Sequence, residues 1–313
     1  MVVQRFQSLK NSLSTMANRK IAQGCGSYLL DENIPLPVAR KRFEQLNRLS
    51  TLAAGVDLST SQFSGVNAEI LKPQISENGK QQYDKTILYC HGGAFCIGSP
   101  KTHRDLTAWL AKILKTRVIV PEYRLAPEHP YPAAHDDVYQ VYLAMLDNGI
   151  SAADIIVGGD SAGGNLALKL LMRLKQEGLP LPIAAFLYSP WVDLTCSYTS
   201  YQTQRDRDPM LKESWLRAMG LYFYPDAEFE HPDISPINGD LSGLPPIQIQ
   251  AGSDEILLDD AEELAMRLKR HGNEVELTIW DKLWHVFQVH ASHLPAAKES
   301  IEKTGDFIQA SIR

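Results

Sequence analysis

The chain has 313 residues, a length that can bury a large core and is typical of one α/β domain with insertions. Apolar residues make up 44% of it and charged residues 22%, as in an ordinary globular protein. The formal net charge of -6 argues against a surface that neutralises phosphates, so we expect no nucleic-acid partner.

The cysteines and the start of the chain give expectations about metal binding and about the cellular compartment of the protein. The four cysteines form no CxxC pair and no zinc-like spacing with histidine, so we expect free thiols and no metal. The start of the chain has no unbroken apolar segment of a secretory signal, and no apolar run reaches the ~20 residues that cross a bilayer. We therefore expect a cytoplasmic protein without stable membrane insertion.

Taken in chain order, residues 1–55 are interpreted as helices that precede a sheet, and residues 56–75 as an edge hairpin. From residue 84 onward, short apolar strands alternate with amphipathic helices. This alternation predicts an α/β fold with a mostly parallel sheet, in which ligands bind at the carboxyl ends of the strands. The predicted strands are 85–90, 117–123, 154–159, 183–189, 246–252 and 275–280.

A glycine pair follows the first of these buried strands, in the sequence His91-Gly92-Gly93-Ala94. Acyl transfer places negative charge on a carbonyl oxygen, and preorganised N–H donors stabilise that charge. Consecutive glycines leave the backbone amides accessible, so we assign the amides of Gly92 and Gly93 as oxyanion donors, with Ala162 as the third. Without a nucleophile elsewhere the same residues would be a simple glycine turn, and His91 is expected to order the loop.

The nucleophile candidate follows the strand 154–159, in the sequence Gly159-Asp160-Ser161-Ala162-Gly163. A serine on a sharp strand-to-helix turn needs small residues two positions before and after it, and the turn places its hydroxyl above the sheet. The alternative is a glycine-rich turn in which Ser161 only caps the helix. Because a strand precedes the motif and a helix follows it, Ser161 is interpreted as a nucleophile.

An aromatic-rich insertion, 191–235, interrupts the alternation after the strand 183–189. Together with residues 1–55 it is predicted to form a helical cap over the catalytic body, which comprises 56–190 and 236–313. Most of the aromatic residues of the insertion are expected to pack the cap on the body. The residues predicted to line a substrate pocket are Ala94, Tyr188 and Trp191.

The base and the acid are sought after the last two strands, because in such folds the chain order is Ser, acid, His. Asp254 follows the strand 246–252 and is the favoured acid, with its neighbour Glu255 as the competing carboxylate. His285 follows the strand 275–280 and is favoured as the base over the other histidines of this region. Those histidines are His271, His290 and His293.

The chain resembles the hormone-sensitive-lipase-like family of α/β-hydrolases, bacterial short-chain carboxylesterases among them. The resemblance rests on five motifs between residue 84 and the end of the chain. They are HGGAF, YRLAPEHPYPAAHDD, GDSAGG, GSDEILLDD and HVF. It implies an α/β-hydrolase fold with a helical cap, no cofactor, and the triad and oxyanion residues assigned above. It also implies that Tyr123, Arg124, Glu128 and Asp137 tie loops together beneath the site.

Two positions depart from the family pattern. Ala94 replaces a third glycine, so its methyl group is expected to narrow the space near the scissile bond. Glu255 replaces the proline that commonly follows the acid, which leaves two adjacent carboxylates as candidates.

We therefore predict a serine esterase that acts on small-molecule esters of short-to-medium acyl chain length through an acyl-enzyme intermediate. A lactonase or an amidase would use the same residues, and a non-catalytic ligand receptor of the same fold is the alternative from another class. A homodimer is left open.

Overall fold

The computed structural model describes residues 3–6, 12–47, 52–74 and 85–312. Within these ranges nine strands form one sheet in the order β1-β9-β8-β7-β6-β4-β5-β3-β2. The strands are β1 (Val3–Phe6), β2 (Val56–Phe63), β3 (Val66–Pro73), β4 (Thr86–Cys90), β5 (Arg117–Pro121), β6 (Ile155–Asp160), β7 (Ala184–Tyr188), β8 (Ile247–Gly252) and β9 (Val275–Trp280). The helices are α1 (Ser12–Leu29), α2 (Leu36–Asn47), α3 (Arg104–Leu114), α4 (Ala133–Asp147), α5 (Ala162–Gln176), α6 (Ser200–Thr203), α7 (Glu213–Phe223), α8 (Leu258–Arg270) and α9 (Pro295–Ser311).

The sheet is parallel except at one edge, where β2 and β3 form an antiparallel hairpin and β3 runs antiparallel to β5. The mostly parallel sheet and the edge hairpin predicted from the sequence are both confirmed. The parallel register pairs Cys90 with Gly159 and Gly252 with Trp280. The carboxyl ends of β4, β6, β8 and β9 therefore lie along one rim, and the loops that carry the candidate residues start there.

The first segment differs from the prediction that residues 1–55 are helical. Val3–Phe6 forms β1, which pairs in parallel with β9 and sets Phe6 opposite Trp280. The two rings lie 4.7 Å apart between centroids. A short strand of this kind covers the open edge of the sheet, and four residues are too few to show a periodicity in the sequence.

The core lies on both faces of the sheet, because alternate side chains of a strand point to opposite sides. Leu88 and Val157 belong to the face that packs against α4, α5 and α8. Ile87 and Ile156 belong to the face that packs against α3 and α9. This two-sided burial explains why the strands are apolar almost throughout.

Side chains from α1, α2 and α7 share one cavity with the loops at the carboxyl ends of the strands. These helices come from the two segments predicted to form the cap, and the two segments are called the cap below. Within the described ranges, no helix combines the length and apolar character needed to span a membrane.

Candidate active site

Ser161 lies at the turn between β6 and α5, with φ 53° and ψ -123°. A residue with a Cβ is strained in this backbone conformation, and such strain collects at active sites. Two backbone hydrogen bonds to the end of β7 and the loop after it hold the turn. The amide of Ser161 donates to the carbonyl of Tyr188 at 2.9 Å, and the carbonyl of Ser161 accepts from the amide of Trp191 at 3.0 Å. The conformation directs the Ser161 side chain into the cavity beneath the cap.

Two glycines make this turn possible by close backbone approach. A Cβ at Gly159 would collide with the carbonyl of Gly163, and a Cβ at Gly163 would collide with the carbonyl of Cys90. The pattern Gly-x-Ser-x-Gly is therefore required by packing between β4, β6 and the start of α5.

The cavity over Ser161 has a volume of about 360 Å³ and two chemically different sides. The sheet side carries the serine, His285, the glycine loop after β4 and the polar residues near α3. The cap side is formed by apolar side chains. These are Ile21, Cys25, Leu29, Leu30, Phe43, Leu46, Met210, Leu211 and Trp215.

His285 lies on the loop after β9 and is 4% exposed. Burial disfavours the imidazolium and lowers the pKa of His285 to about 4. Its side chain lines the same cavity as Ser161, and Nδ1 of His285 has no hydrogen-bond partner among the described residues. On the side away from the cavity, Nδ1 of His285 lies 4.0 Å from Oε2 of Glu255.

Glu255 is fully buried behind the histidine. Its Oε2 accepts from the Ser189 hydroxyl at 2.8 Å and from the Gly252 amide at 3.2 Å. The Ser189 hydroxyl in turn accepts from the amide of Val286 at 3.1 Å, so one hydroxyl joins the carboxylate to the loop that carries His285. Burial raises the pKa of Glu255, while these two donors oppose that rise.

Asp254, the predicted acid, points elsewhere. Its Oδ2 accepts from Nη1 of Arg19 at 2.8 Å, and its Oδ1 accepts from the Ser253 hydroxyl at 3.1 Å. The structure therefore corrects the prediction that Asp254 orients the imidazole, because Glu255 is the carboxylate on the Nδ1 side of His285. The two residues are adjacent, and the turn after β8 decides which one faces inward.

Of the amides predicted to bind an oxyanion, that of Gly92 already has a partner. The amide of Gly92, a predicted donor, is already bonded to Oδ1 of Asp160 at 3.1 Å. The next two residues turn into left-handed backbone, with φ 118° at Gly93 and φ 50° at Ala94, and both line the cavity. Within the described ranges the amides of Gly93 and Ala94 make no hydrogen bond, and Ala162 opens α5 beside Ser161. The amides free for an anion are those of Gly93, Ala94 and Ala162.

A buried polar group beneath the glycine loop explains its shape. Asp160 accepts from the Tyr89 hydroxyl at 2.7 Å and lies 3.5 Å from Nε2 of His103. Burial opposes ionisation of Asp160, but His103 and the Tyr89 bond outweigh it and the pKa of this carboxyl is lowered. His91 stacks on Tyr123 at 4.1 Å, and the Tyr123 hydroxyl donates to the carbonyl of His91 at 2.6 Å. His91 therefore orders the loop, as predicted.

The other residues that the family resemblance singled out also tie loops together. Arg124 pairs with Asp137 at 2.8 Å, which joins the segment after β5 to α4. Glu128 pairs with Arg40 of α2 at 2.8 Å, so this contact reaches the cap.

Of the three residues predicted to line a substrate pocket, only Ala94 lines the cavity. Tyr188 points to the opposite face of the sheet, where its hydroxyl bonds Oγ1 of Thr304 at 2.8 Å, and Trp191 is fully buried against Phe95. The structure therefore corrects the pocket predictions for Tyr188 and Trp191. Trp215 of α7 lines the cavity instead.

Several site residues were not found from the sequence. Ser189 carries no motif, and its role appears only when β7 is placed between β6 and β8. His290, passed over as a base, lines the cavity with Nε2 buried and without a partner among the described residues. Across the described ranges, no group of three or more His, Cys, Asp or Glu residues is arranged to hold a metal ion.

Comparison with known proteins places this geometry in a family. The family model described as alpha/beta hydrolase fold matches residues 87–289. An acetyl-hydrolase from Streptomyces hygroscopicus is 38% identical over 74% of this chain and 77% of its own length. An esterase from Acinetobacter venetianus is 37% identical over 88% of this chain and 89% of its own.

Solved structures agree over nearly the whole chain. The crystal structure of an esterase from the bacterial hormone-sensitive lipase family superposes with a TM-score of 0.90 and 31% identity, covering 97% of this chain and 100% of that one. The esterase EstE5, soaked with p-nitrophenyl butyrate, gives a TM-score of 0.88 and 33% identity over 96% of this chain and 99% of that one. The chain therefore belongs to the bacterial hormone-sensitive lipase family of α/β-hydrolases and is a carboxylic ester hydrolase.

Proposed function

We propose that this protein is a serine carboxylesterase that cleaves short-to-medium acyl esters with Ser161 as nucleophile, His285 as base and Glu255 as the acid that orients the base. The observation that supports this most strongly is the strained turn at Ser161, which faces a cavity that His285 also lines. Glu255 lies directly behind that histidine.

The chemistry follows from these positions. Nε2 of His285 takes the Ser161 proton while Oγ attacks the ester carbonyl, and the amides of Gly93, Ala94 and Ala162 stabilise the oxyanion. The imidazolium then protonates the leaving alcohol. The same imidazole next activates water, which releases the acid and restores the serine.

Two buried atoms without partners support the role of Glu255. Nδ1 of His285 and Oε1 of Glu255 both lack a hydrogen bond within the described ranges, and such atoms are costly to leave unpaired. A small rotation that closes the 4.0 Å gap would pair the imidazole N–H with the carboxylate. That bond would fix the tautomer that leaves Nε2 free to act as base.

The size and lining of the cavity support the substrate class. A volume of about 360 Å³ is near the lower end of ligand sites, and its cap side is apolar. Such a site suits an acyl chain of modest length and offers no place for a large polar acyl group.

The test is Ser161→Ala with p-nitrophenyl butyrate. We expect a loss of kcat on the order of 10⁶-fold, since the nucleophile is removed. Ser242→Ala, at a serine that bonds Asp240 on the surface, is the control and is expected to keep full activity. A fluorophosphonate should label Ser161 alone in the unaltered enzyme. If Ser161→Ala kept a tenth of the activity, the proposed mechanism would be abandoned.

A further inference from the structure

One guanidinium joins the cap to both loops that carry the proposed base and acid. Nη1 of Arg19, on α1, donates to Oδ2 of Asp254 at 2.8 Å and to the carbonyl of Lys282 at 3.4 Å. Nη2 of the same side chain donates to the carbonyl of Arg207, in the second cap segment. Asp254 immediately precedes Glu255, and Lys282 lies on the loop that leads to His285.

A second contact reaches the acid loop from its other side. The carboxylate of Asp208 accepts from the amides of Met210 and Leu211 within the cap segment, at 2.8 and 2.9 Å. Its Oδ2 also accepts from the amide of Ile256 at 2.9 Å. Cap residues therefore contact both neighbours of Glu255, through the carboxylate of Asp254 before it and the amide of Ile256 after it.

We propose that Arg19 is a positioning residue through which the cap sets Glu255 against His285. This inference rests on the proposed role of Glu255 as the acid. The side chains of the acid and the base must be aligned within fractions of an ångström, and a misplacement of about 1 Å can cost 10²-fold in rate. Arg19 contacts the loop of each, so it fixes their separation as well as the position of the cap.

The alternative is that Arg19 only fastens α1 to the body. The ion pair between Lys212 and Asp31 has the same length, 2.8 Å, and joins the second cap segment to the loop after α1. It contacts neither catalytic loop among the described residues. A substitution at Lys212 therefore measures how much the loss of one ion pair in the cap, by itself, lowers kcat.

The experiment is a double-mutant cycle with p-nitrophenyl butyrate, with folding checked by thermal melting. Arg19→Gln and Asp254→Asn should each lower kcat by about tenfold with KM within about twofold, because a positioning contact acts on the chemical step. Arg19→Lys should recover most of kcat, and Lys212→Gln should leave kcat unchanged. In a Glu255→Gln background, Arg19→Gln should cause no further loss, since residues acting through one another are not additive.

Four results overturn the inference. A rise in KM at unchanged kcat would assign Arg19 to substrate access, and an additive loss in the Glu255→Gln background would assign it to general stability. A loss at Lys212→Gln equal to that at Arg19→Gln would have the same meaning. If Glu255→Gln itself left kcat intact, the acid assignment and this inference would both fall. Should Arg19→Gln fail to fold, the isosteric Asp254→Asn makes the same comparison.

Discussion

The two sides of the cavity are built by different kinds of interaction. On the sheet side, directional hydrogen bonds fix each group, as between Glu255, Ser189 and Val286, and the backbone at Ser161 is strained. On the cap side, apolar side chains from α1, α2 and α7 meet the cavity without directional contacts. The difference teaches that the reacting groups lie on the sheet side, while the cap residues that line the cavity set the size and polarity of what can react and Arg19, outside the cavity, is the proposed link from the cap to the acid.

The strongest test of this comparison separates two adjacent carboxylates on the sheet side. Glu255→Gln keeps the shape of the side chain but removes the charge that orients His285, and we expect kcat to fall on the order of 10³- to 10⁴-fold. Asp254→Asn should lower kcat only about tenfold, since Asp254 does not face His285 and only transmits the contact of Arg19 to the acid loop. The measurement is kcat with p-nitrophenyl butyrate.

A larger loss at Asp254→Asn than at Glu255→Gln would restore Asp254 as the acid. Melting temperatures of both variants serve as the control, because Glu255 is fully buried and its replacement must not be confused with unfolding.

The fold was predictable because its signals are local. The six buried strands and the turn at Ser161 follow from apolar runs and from glycines that the packing requires. The strand β1 was not predictable, since Val3–Phe6 is stabilised only by its pairing with β9. A strand of four residues that pairs only with a strand near the other end of the chain shows no alternation of apolar and polar residues by which it could be recognised.

The sequence places the candidate acid and oxyanion donors within one residue of those proposed from the structure. Spacing after a strand end located both loops, but the choice between Asp254 and Glu255 depends on Arg19, which is distant in sequence. The choice between Gly92 and Ala94 depends in the same way on Asp160, which takes the Gly92 amide. Long-range partners of this kind are invisible to motif analysis.

The pH profile tests whether burial sets the pKa of His285, the proposed base on the sheet side of the cavity. Because burial lowers the pKa of His285 to about 4, the imidazole stays neutral and able to accept a proton well below neutral pH. At pH 5, about nine-tenths of His285 would be neutral, against about 3% for a histidine at its ordinary pKa of about 6.5. The measurement is kcat/KM from pH 4 to 8, with tryptophan fluorescence to detect acid unfolding. An acid limb at or above pH 6.5 would show that the lowered pKa of His285 does not set the pH dependence of the reaction.

The cap side is tested by acyl-chain preference. Trp215→Ala enlarges the cavity, so the ratio of kcat/KM for p-nitrophenyl octanoate to that for the butyrate should rise on the order of tenfold, which corresponds to about two newly buried methylenes at about 0.8 kcal/mol each. Trp191→Phe is the matched control, since Trp191 is buried outside the cavity and should lower the melting temperature without changing that ratio. An unchanged ratio in Trp215→Ala would remove the cap from the control of selectivity.

The smallest expected effect tests whether the sheet side also selects substrates by size, a task that the comparison gives to the cap. Ala94 lies on the sheet side, yet its methyl group lines the cavity next to an amide proposed to bind the oxyanion. Its φ of 50° is one that glycine adopts without strain, so Ala94→Gly should fold normally and keep kcat for the butyrate ester. Removal of one methyl group, worth about 0.8 kcal/mol, should raise kcat/KM for an ester of a bulky alcohol about fourfold relative to the ethyl ester. If the ratio stays at its original value, the sheet side carries no steric selection at Ala94 and the cap alone decides which esters are accepted.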